Sequence, residues 1–213
     1  MDDGQTALLY TAAKVVVKDN IDALRNMILK CGYVGDRAVQ AGEHVRPENA
    51  PHIITWRQLP ERTLRFSNGI GGFSADGKEY VIRLEEGRHT PAPWSNIISG
   101  RDFGFLVTES GGGYTWAGNS REYKLTPWAN DPVSDRPGEV FYIYDPEERR
   151  HWSLTPMPSG DGEPYTVRHG FGYSVFEHCS FGLEQSLTMF VPIEFPVKVC
   201  VIRLKNLTGK RRD

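Results

Sequence analysis

The stretch GYSVFEHCSFGLEQSLTMFVPIEFPVKVCVIRLKN, residues 172 to 206, decides the fold. It divides into three runs, Gly172 to His178, Leu183 to Val191 and Val197 to Asn206, with glycine or proline between them. Leu183, Leu187, Met189 and Val191 share one alternation; Val197, Val199 and Val201 share another. Side chains of a strand point alternately to its two faces, so this pattern predicts one buried face per strand. The three runs read as an antiparallel meander.

Upstream the same grammar repeats in shorter words. Leu64 to Ser67 reads as extended, and Phe73-Ser74-Ala75 meets the turn Asp76-Gly77 before Tyr80 to Leu84 returns. An Asp-Gly pair between apolar runs predicts a two-residue hairpin with positive φ at both central residues. Phe103 to Thr108 and Tyr114 to Ala117 flank Gly111-Gly112-Gly113, a second hairpin. Val140 to Tyr144, His151 to Leu154 and Tyr165 to Arg168 are further short strands. Many short strands with glycine and proline turns, and no helices between them, predict a mainly β fold, a large antiparallel β-sandwich. Phe66, Val81, Ile82, Leu84, Phe105, Val107, Phe141, Ile143, Leu187, Val199 and Ile202 form its expected core.

The first sixty residues read differently. Residues 6 to 31 have a helical pattern, with Asp19 as a cap, apolar residues at Ile21, Leu24, Met27, Ile28 and Cys31, and Gly32 as a stop. The run from Leu8 to Val17 fits helix or strand. Residues 35 to 60 are polar and hold Pro47, Pro51 and Pro60. Residues 1–60 are therefore an N-terminal helical extension and connection, and residues 61–213 the sandwich domain.

The 213 residues are 39% hydrophobic and 24% charged, with net charge −2, an ordinary globular composition without the basic footprint that nucleic acid requires. The acidic start Met1-Asp2-Asp3-Gly4 lacks the apolar region of a signal peptide, and no apolar run reaches the ~18 to 20 residues of a membrane helix. Cys31, Cys179 and Cys200 lack metal-type spacing and read as free thiols of a reducing, cytoplasmic compartment, although Cys179 and Cys200 can be drawn on adjacent strands.

The densest chemistry lies between Tyr114 and Glu139, which holds Trp116, Asn119, Arg121, Trp128, Asn130, Asp131, Asp135 and Arg136. Sugars call for this mixture: an indole covers the C–H face of a pyranose, while amides, carboxylates and guanidinium groups bond its hydroxyls. The plainer reading packs both tryptophans and ties the loop to itself. Arg168-His169, beside Gly170-Phe171-Gly172, is a second candidate for ligand approach, or else a tight turn with a structural histidine. Glu109, Glu122, Asp131, Asp135, Glu139 and Asp145 supply carboxylates, but sequence alone gives no pair at working separation. No nucleophile elbow, phosphate loop or metal-ligand spacing is present, so no catalytic residue and no metal site is assigned.

Several blocks together resemble a known family: FSNGIGGFSADGKEYVIRL, TPAPWSNII, FGFLVTESGGGYTWAGNSREYKLTPWANDPVSDRPGE, VRHGFGYSVFEH and FVPIEFPVKVCVIRLKN. They resemble the cyclic β-1,2-glucan synthases, in the amino-terminal sandwich of the region shared with cellobiose and chitobiose phosphorylases, glycoside hydrolase family ninety-four. The resemblance covers roughly residues 60 to 209; Phe103 to Glu139 is specific to the synthase branch. It implies a galactose-mutarotase-like supersandwich, followed beyond Asp213 by helical linkers and an (α/α)6 barrel. In the family the barrel carries the aspartate general acid and inorganic phosphate is the co-substrate, attacking the anomeric carbon with inversion. The implied partners are a β-glucan, the barrel of the same polypeptide and a second subunit in a homodimer. The parent is implied to be a multi-pass inner-membrane protein with this region on the cytoplasmic side. The expected function is a non-catalytic, carbohydrate-handling domain of such a phosphorylase, the alternative being a free-standing carbohydrate-binding module. Trp116, Asn119, Arg121, Trp128, Asp135, Arg136, Arg168 and His169 are its candidate substrate-binding residues.

Overall fold

The computed structural model describes residues 63–85 and 88–212. The chain divides into two units between His52 and Ile53, and every described element lies in the second. The helical extension expected before residue 60 lies outside the described residues.

Eleven strands run in chain order. They are β1 (Gly71–Phe73), β2 (Glu79–Leu84), β3 (Ser95–Ser99), β4 (Phe103–Thr108), β5 (Gly113–Ala117), β6 (Tyr142–Asp145), β7 (Arg150–Ser153), β8 (Tyr165–Gly170), β9 (Tyr173–Ser180), β10 (Leu183–Phe190) and β11 (Val199–Asn206). One sheet has the order β1-β2-β8-β9-β10-β11, a second β3-β4-β5, and a two-stranded ribbon is made by β6 and β7. All strand pairs are antiparallel.

Register assigns the faces. Ile82 lies opposite Val167, Val167 opposite Phe176, Phe176 opposite Leu187 and Leu187 opposite Ile202, so these residues share one side of the large sheet. That side meets Ile98, Phe105 and Val107 of the small sheet, and the two layers enclose the core. Leu154, just past β7, and Tyr165 of β8, whose hydroxyl donates to the Ser153 carbonyl, complete it. Burying a side chain of this size contributes about 1.5 to 3 kcal/mol each.

Val81, Ile82, Leu84, Phe105, Val107 and Leu187 are buried as expected, and Phe141 and Ile143 pack partly buried against the core. Three expectations are corrected. Phe66 is 82% exposed with φ 53°, because Leu64 to Ser67 makes only a single bridge, Arg65 to Phe73, before turning. Ile202 is on the core side by register but 42% exposed, because β11 is the edge strand. Val199 lies opposite Phe190, on the other face of the sheet from Leu187, and is half-buried.

The Asp76-Gly77 hairpin exists, but with a longer loop than a two-residue turn. Gly77 alone of the pair has positive φ, and the hydroxyl of Ser74 donates to the Asp76 carboxylate while accepting from the Glu79 amide. Cys179 and Cys200 are not joined to each other by a disulfide. They stand on β9 and β11 with β10 between them and point to opposite faces, since Cys200 lies opposite Met189 and Cys179 opposite Glu184.

Candidate functional site

The outer face of the small sheet gathers the aromatic residues. Phe105 faces the core, so its β5 partner Thr115 does too, while Tyr114 and Trp116 on either side of Thr115 point outward. Tyr114 stands opposite Leu106, and Trp116 opposite Gly104. Their rings lie 5.4 Å apart between centroids. Trp128, fourteen residues beyond Tyr114, returns to place its ring 4.9 Å from that of Tyr114. Lys124 sets its ammonium 5.6 Å from the Tyr114 ring centre, a cation–π contact.

The segment after β5 folds back along that strand. The Leu125 amide donates to the Thr115 carbonyl at 2.8 Å, the Ala117 amide to Tyr123 at 3.1 Å, and Lys124 bridges to Trp116. The Asn119 side chain accepts from the amides of Arg121 and Glu122, fixing the turn. Trp116 is 9% exposed beneath this segment, whereas Asn119, Arg121 and Arg136 are exposed and Trp128 is half-buried.

Asp135 anchors the far end of the loop. Its carboxylate accepts from the Thr108 hydroxyl at 2.5 Å and from the Ser110 hydroxyl. It presses on Gly112, where a Cβ would come 2.1 Å from Oδ1. Its φ of 38° is left-handed, a conformation that aspartate tolerates better than most residues. Asp135 therefore pins the loop to the β4–β5 turn.

The other carboxylates have local employment. Glu109 is buried, accepts from the Trp94 amide at 2.6 Å and from the Thr90 hydroxyl, and burial pushes its carboxyl above the ordinary range. Asp131 caps Val133 and Ser134, and the Ser134 hydroxyl holds its carboxyl below the ordinary value. Glu139 accepts from Thr115 and pairs with Lys198. Asp145 pairs with Arg212 at 2.8 Å and caps the amides of Glu147 and Glu148. Glu122 pairs with Arg121 on the surface.

Arg168 and His169 sit elsewhere, on β8 in the large sheet. The Arg168 guanidinium is bracketed by Glu79 and Glu177 on the face away from the core, and the Tyr173 hydroxyl donates to Glu79. On the core side, His169 Nε2 meets the Trp94 carbonyl at 3.1 Å and Nδ1 meets the Ser174 hydroxyl at 2.9 Å. Burial pushes this imidazole down to about 4. A neutral ring satisfies both contacts, Nε2–H donating and Nδ1 accepting. Asn96 completes the clip by donating to the carbonyls of Gly170 and Tyr173. His169 thus ties the two layers together.

The structure brings Trp116 and Trp128 together, sets Asn119 and Arg121 on the adjoining turn, and gives Asp135 the anchoring role. Arg168 and His169 are not part of that group. Sequence reasoning passed over Tyr114 and Lys124, although Tyr114 stands two residues from Trp116 and so shares its face of a strand. Among the described residues, no group of three or more histidine, cysteine or carboxylate side chains is placed to hold a metal ion. Among the same residues no helix is long and apolar enough to cross a membrane.

The fold and this face define a two-layer antiparallel sandwich whose smaller sheet turns an aromatic surface outward under a pinned polar loop. Residues 78–213 match the model of the family described as Glycosyl hydrolase 94, supersandwich domain, and the chain belongs to that family. It is 40% identical over 158 residues to the cyclic beta-(1,2)-glucan synthase NdvB of Rhizobium meliloti (strain 1021), covering 73% of this chain and 6% of that protein. It is 32% identical over 146 residues to the N,N'-diacetylchitobiose phosphorylase of Vibrio proteolyticus, covering 67% of this chain and 18% of that one. Similarity extends to the solabiose phosphorylase of Paenibacillus borealis, 28% over 148 residues, 68% of this chain and 19% of that protein. The chain spans less than a fifth of the length of each of these relatives.

Proposed function

We propose that this chain is the non-catalytic, carbohydrate-handling sandwich of a larger cyclic β-1,2-glucan synthase-like glycoside phosphorylase. In this reading the chemistry belongs to a helical barrel elsewhere in the polypeptide, with inorganic phosphate as co-substrate and a β-glucan as substrate. The sandwich supports that barrel and a homodimer at the cytoplasmic side of the membrane. The observation that carries the reading is the half-buried pair Tyr114 and Trp128, backed by the buried Trp116, with the exposed polar turn at Asn119 and Arg121 beside it. An aromatic face rimmed by amide and guanidinium groups suits a sugar ring, whose C–H face stacks while its hydroxyls bond. The similarity to proteins named as a glucan synthase and disaccharide phosphorylases supports the same substrate class.

The test is an assay of glucose 1-phosphate and of reducing ends with β-1,2-glucan and phosphate. The longer protein that contains this domain should turn over; residues 1–213 alone should not. Turnover by the 213-residue chain that a single carboxylate substitution abolishes would overturn the proposal.

A further inference from the structure

Two hairpins of the large sheet carry the same tip, Phe-Gly, and treat it in opposite ways. At the β9–β10 tip, the Phe181 ring packs 5.1 Å from Trp152 and lies under the Arg150 guanidinium at 4.4 Å. At the β8–β9 tip, at the other end of the sheet, Phe171 is 86% exposed. The neighbouring β10–β11 connection reaches the same end, because Tyr173 lies opposite Phe190 and Phe190 opposite Val199. It exposes Ile193 and Phe195, at 95% and 61%. Strands lie about 4.8 Å apart, so the two tips stand roughly 10 Å from one another. The polar turns of Asp76 to Lys78 and of Arg101 to Asp102 flank them, the second beside Val191 and Pro192 through Gly100. An apolar centre with a polar rim is the anatomy of a protein interface. The Asn119 turn adjoins this end, the Gly118 amide donating to the Asp102 carbonyl at 2.6 Å.

We infer that Phe171, Ile193 and Phe195 form a docking surface for an apolar part of the same polypeptide outside residues 1–213. The inference rests on the function proposed above. The occupant is chosen on length: more than four-fifths of each relative lies outside the part this chain spans, enough polypeptide to cover the end of the sandwich. Phe171 and Ile193 are almost bare and gain this domain little by burial, whereas Phe181 shows what the same residue does when it serves the domain itself.

The experiment uses the longer protein with a photo-crosslinkable phenylalanine analogue at position 171 and, separately, at position 193. Mass spectrometry maps the adducts after irradiation. Adducts from both positions to polypeptide outside residues 1–213 of the same molecule are expected. Adducts to a second copy, adducts within residues 1–213, or no adduct from either position overturn the inference. Phosphorolysis by the unmodified protein is measured in parallel: its absence sinks the proposed function, while the adduct map still decides the docking surface. A double variant, Phe171→Ser with Ile193→Ser, should lower the melting temperature of the longer protein by several degrees, and Phe66→Ser, equally bare in this domain, should leave it unchanged.

Discussion

The indole of Trp116 reaches over Gly104 on the adjacent strand, where a Cβ would come 2.5 Å from Cζ2. The absence of a side chain at 104 is what lets the aromatic face form. Gly104→Ala should therefore force the ring out of place and cost about 1 to 3 kcal/mol, the usual scale of overpacking. The Ser99 Cβ at 2.7 Å and the Ile98 carbonyl at 2.9 Å leave the new methyl no other way out. Denaturant midpoints with tryptophan fluorescence read both effects. Gly100→Ala is the control, its nearest neighbour being 3.5 Å away. Equal midpoints and spectra for the two variants would show that Trp116 does not depend on Gly104.

The two layers make a second contrast testable. Leu187 is fully buried at the centre of the large sheet, so Leu187→Ala should cost about 2 to 5 kcal/mol. Phe66 was expected in the same core but is exposed, and Phe66→Ala should stay within ~0.5 kcal/mol. Chemical denaturation of both variants checks the pair; a large loss at Phe66 with none at Leu187 would reverse the core assignment.

The strands were legible where alternation was long and turns carried glycine. β9, β10 and β11 follow the expected meander, and β4 and β5 flank the expected triple glycine. β3 was not legible as a strand: its five residues follow Pro91 and Pro93, and only Ile98 of its side chains is buried. Phe66 was misplaced because its run turns after a single bridge, and Ile202 because β11 is an edge strand. Alternation says which side of a strand a residue faces, not whether another layer covers that side. The site was half legible for a similar reason. Composition pointed to Trp116 and Trp128, but their meeting at Tyr114 depends on a loop folding back along β5, a contact that spacing does not encode. Nor does composition distinguish a carboxylate that faces solvent from one, like Asp135, that secures its own loop.

The clip at His169 predicts a pH dependence. Burial lowers this imidazole to about 4 from an ordinary 6.5, so the native state holds the neutral ring while the unfolded chain takes up a proton below 6.5. Its contribution to stability is full above pH 6.5 and is lost as pH falls toward 4, at up to ~1.4 kcal/mol per pH unit. Glu109 acts in the opposite sense, since a raised carboxyl favours the folded state at low pH and loses that advantage as pH rises. Asp161 adds to the acid loss only below its ordinary 3.8. Burial opposes its ionisation, but the hydrogen bonds and charge of His178 and the Ser180 hydroxyl hold it down. Melts across pH 4 to 6.5 should show stability falling with acid, and His169→Gln in a Glu109→Gln background should flatten that slope. An unchanged slope in this variant would remove His169 from the account.

Arg121 gives the sharpest test of the aromatic face. Trp116 is a poor probe: it is buried, and truncating a buried tryptophan costs ~3 to 5 kcal/mol whatever its role. Asn119 is better but not clean, since its side chain accepts two backbone amides and its loss loosens the turn. The Arg121 side chain is 89% exposed and pairs with the equally superficial Glu122 at 3.3 Å, an ion pair of the kind worth ~0 to 1 kcal/mol. Lys124 bonds the Arg121 backbone carbonyl, which a substitution leaves in place. Arg121→Ala should therefore hold the melting midpoint to within ~0.5 kcal/mol of the parent. If the face handles glycan, the same variant of the longer protein should lose roughly tenfold in phosphorolysis at limiting glucan, the scale of one charge-assisted hydrogen bond of ~1.5 kcal/mol. Arg121→Lys should recover part of the loss, because an ammonium keeps the charge and gives up only the forked geometry. The two readouts separate the possibilities. Activity that falls only in proportion to folded protein makes the turn structural; activity that falls at constant stability places the guanidinium on the ligand. Full activity in Arg121→Ala, with Arg136→Ala also silent, would remove the polar rim from the glycan-handling surface and leave the aromatic rings as packing.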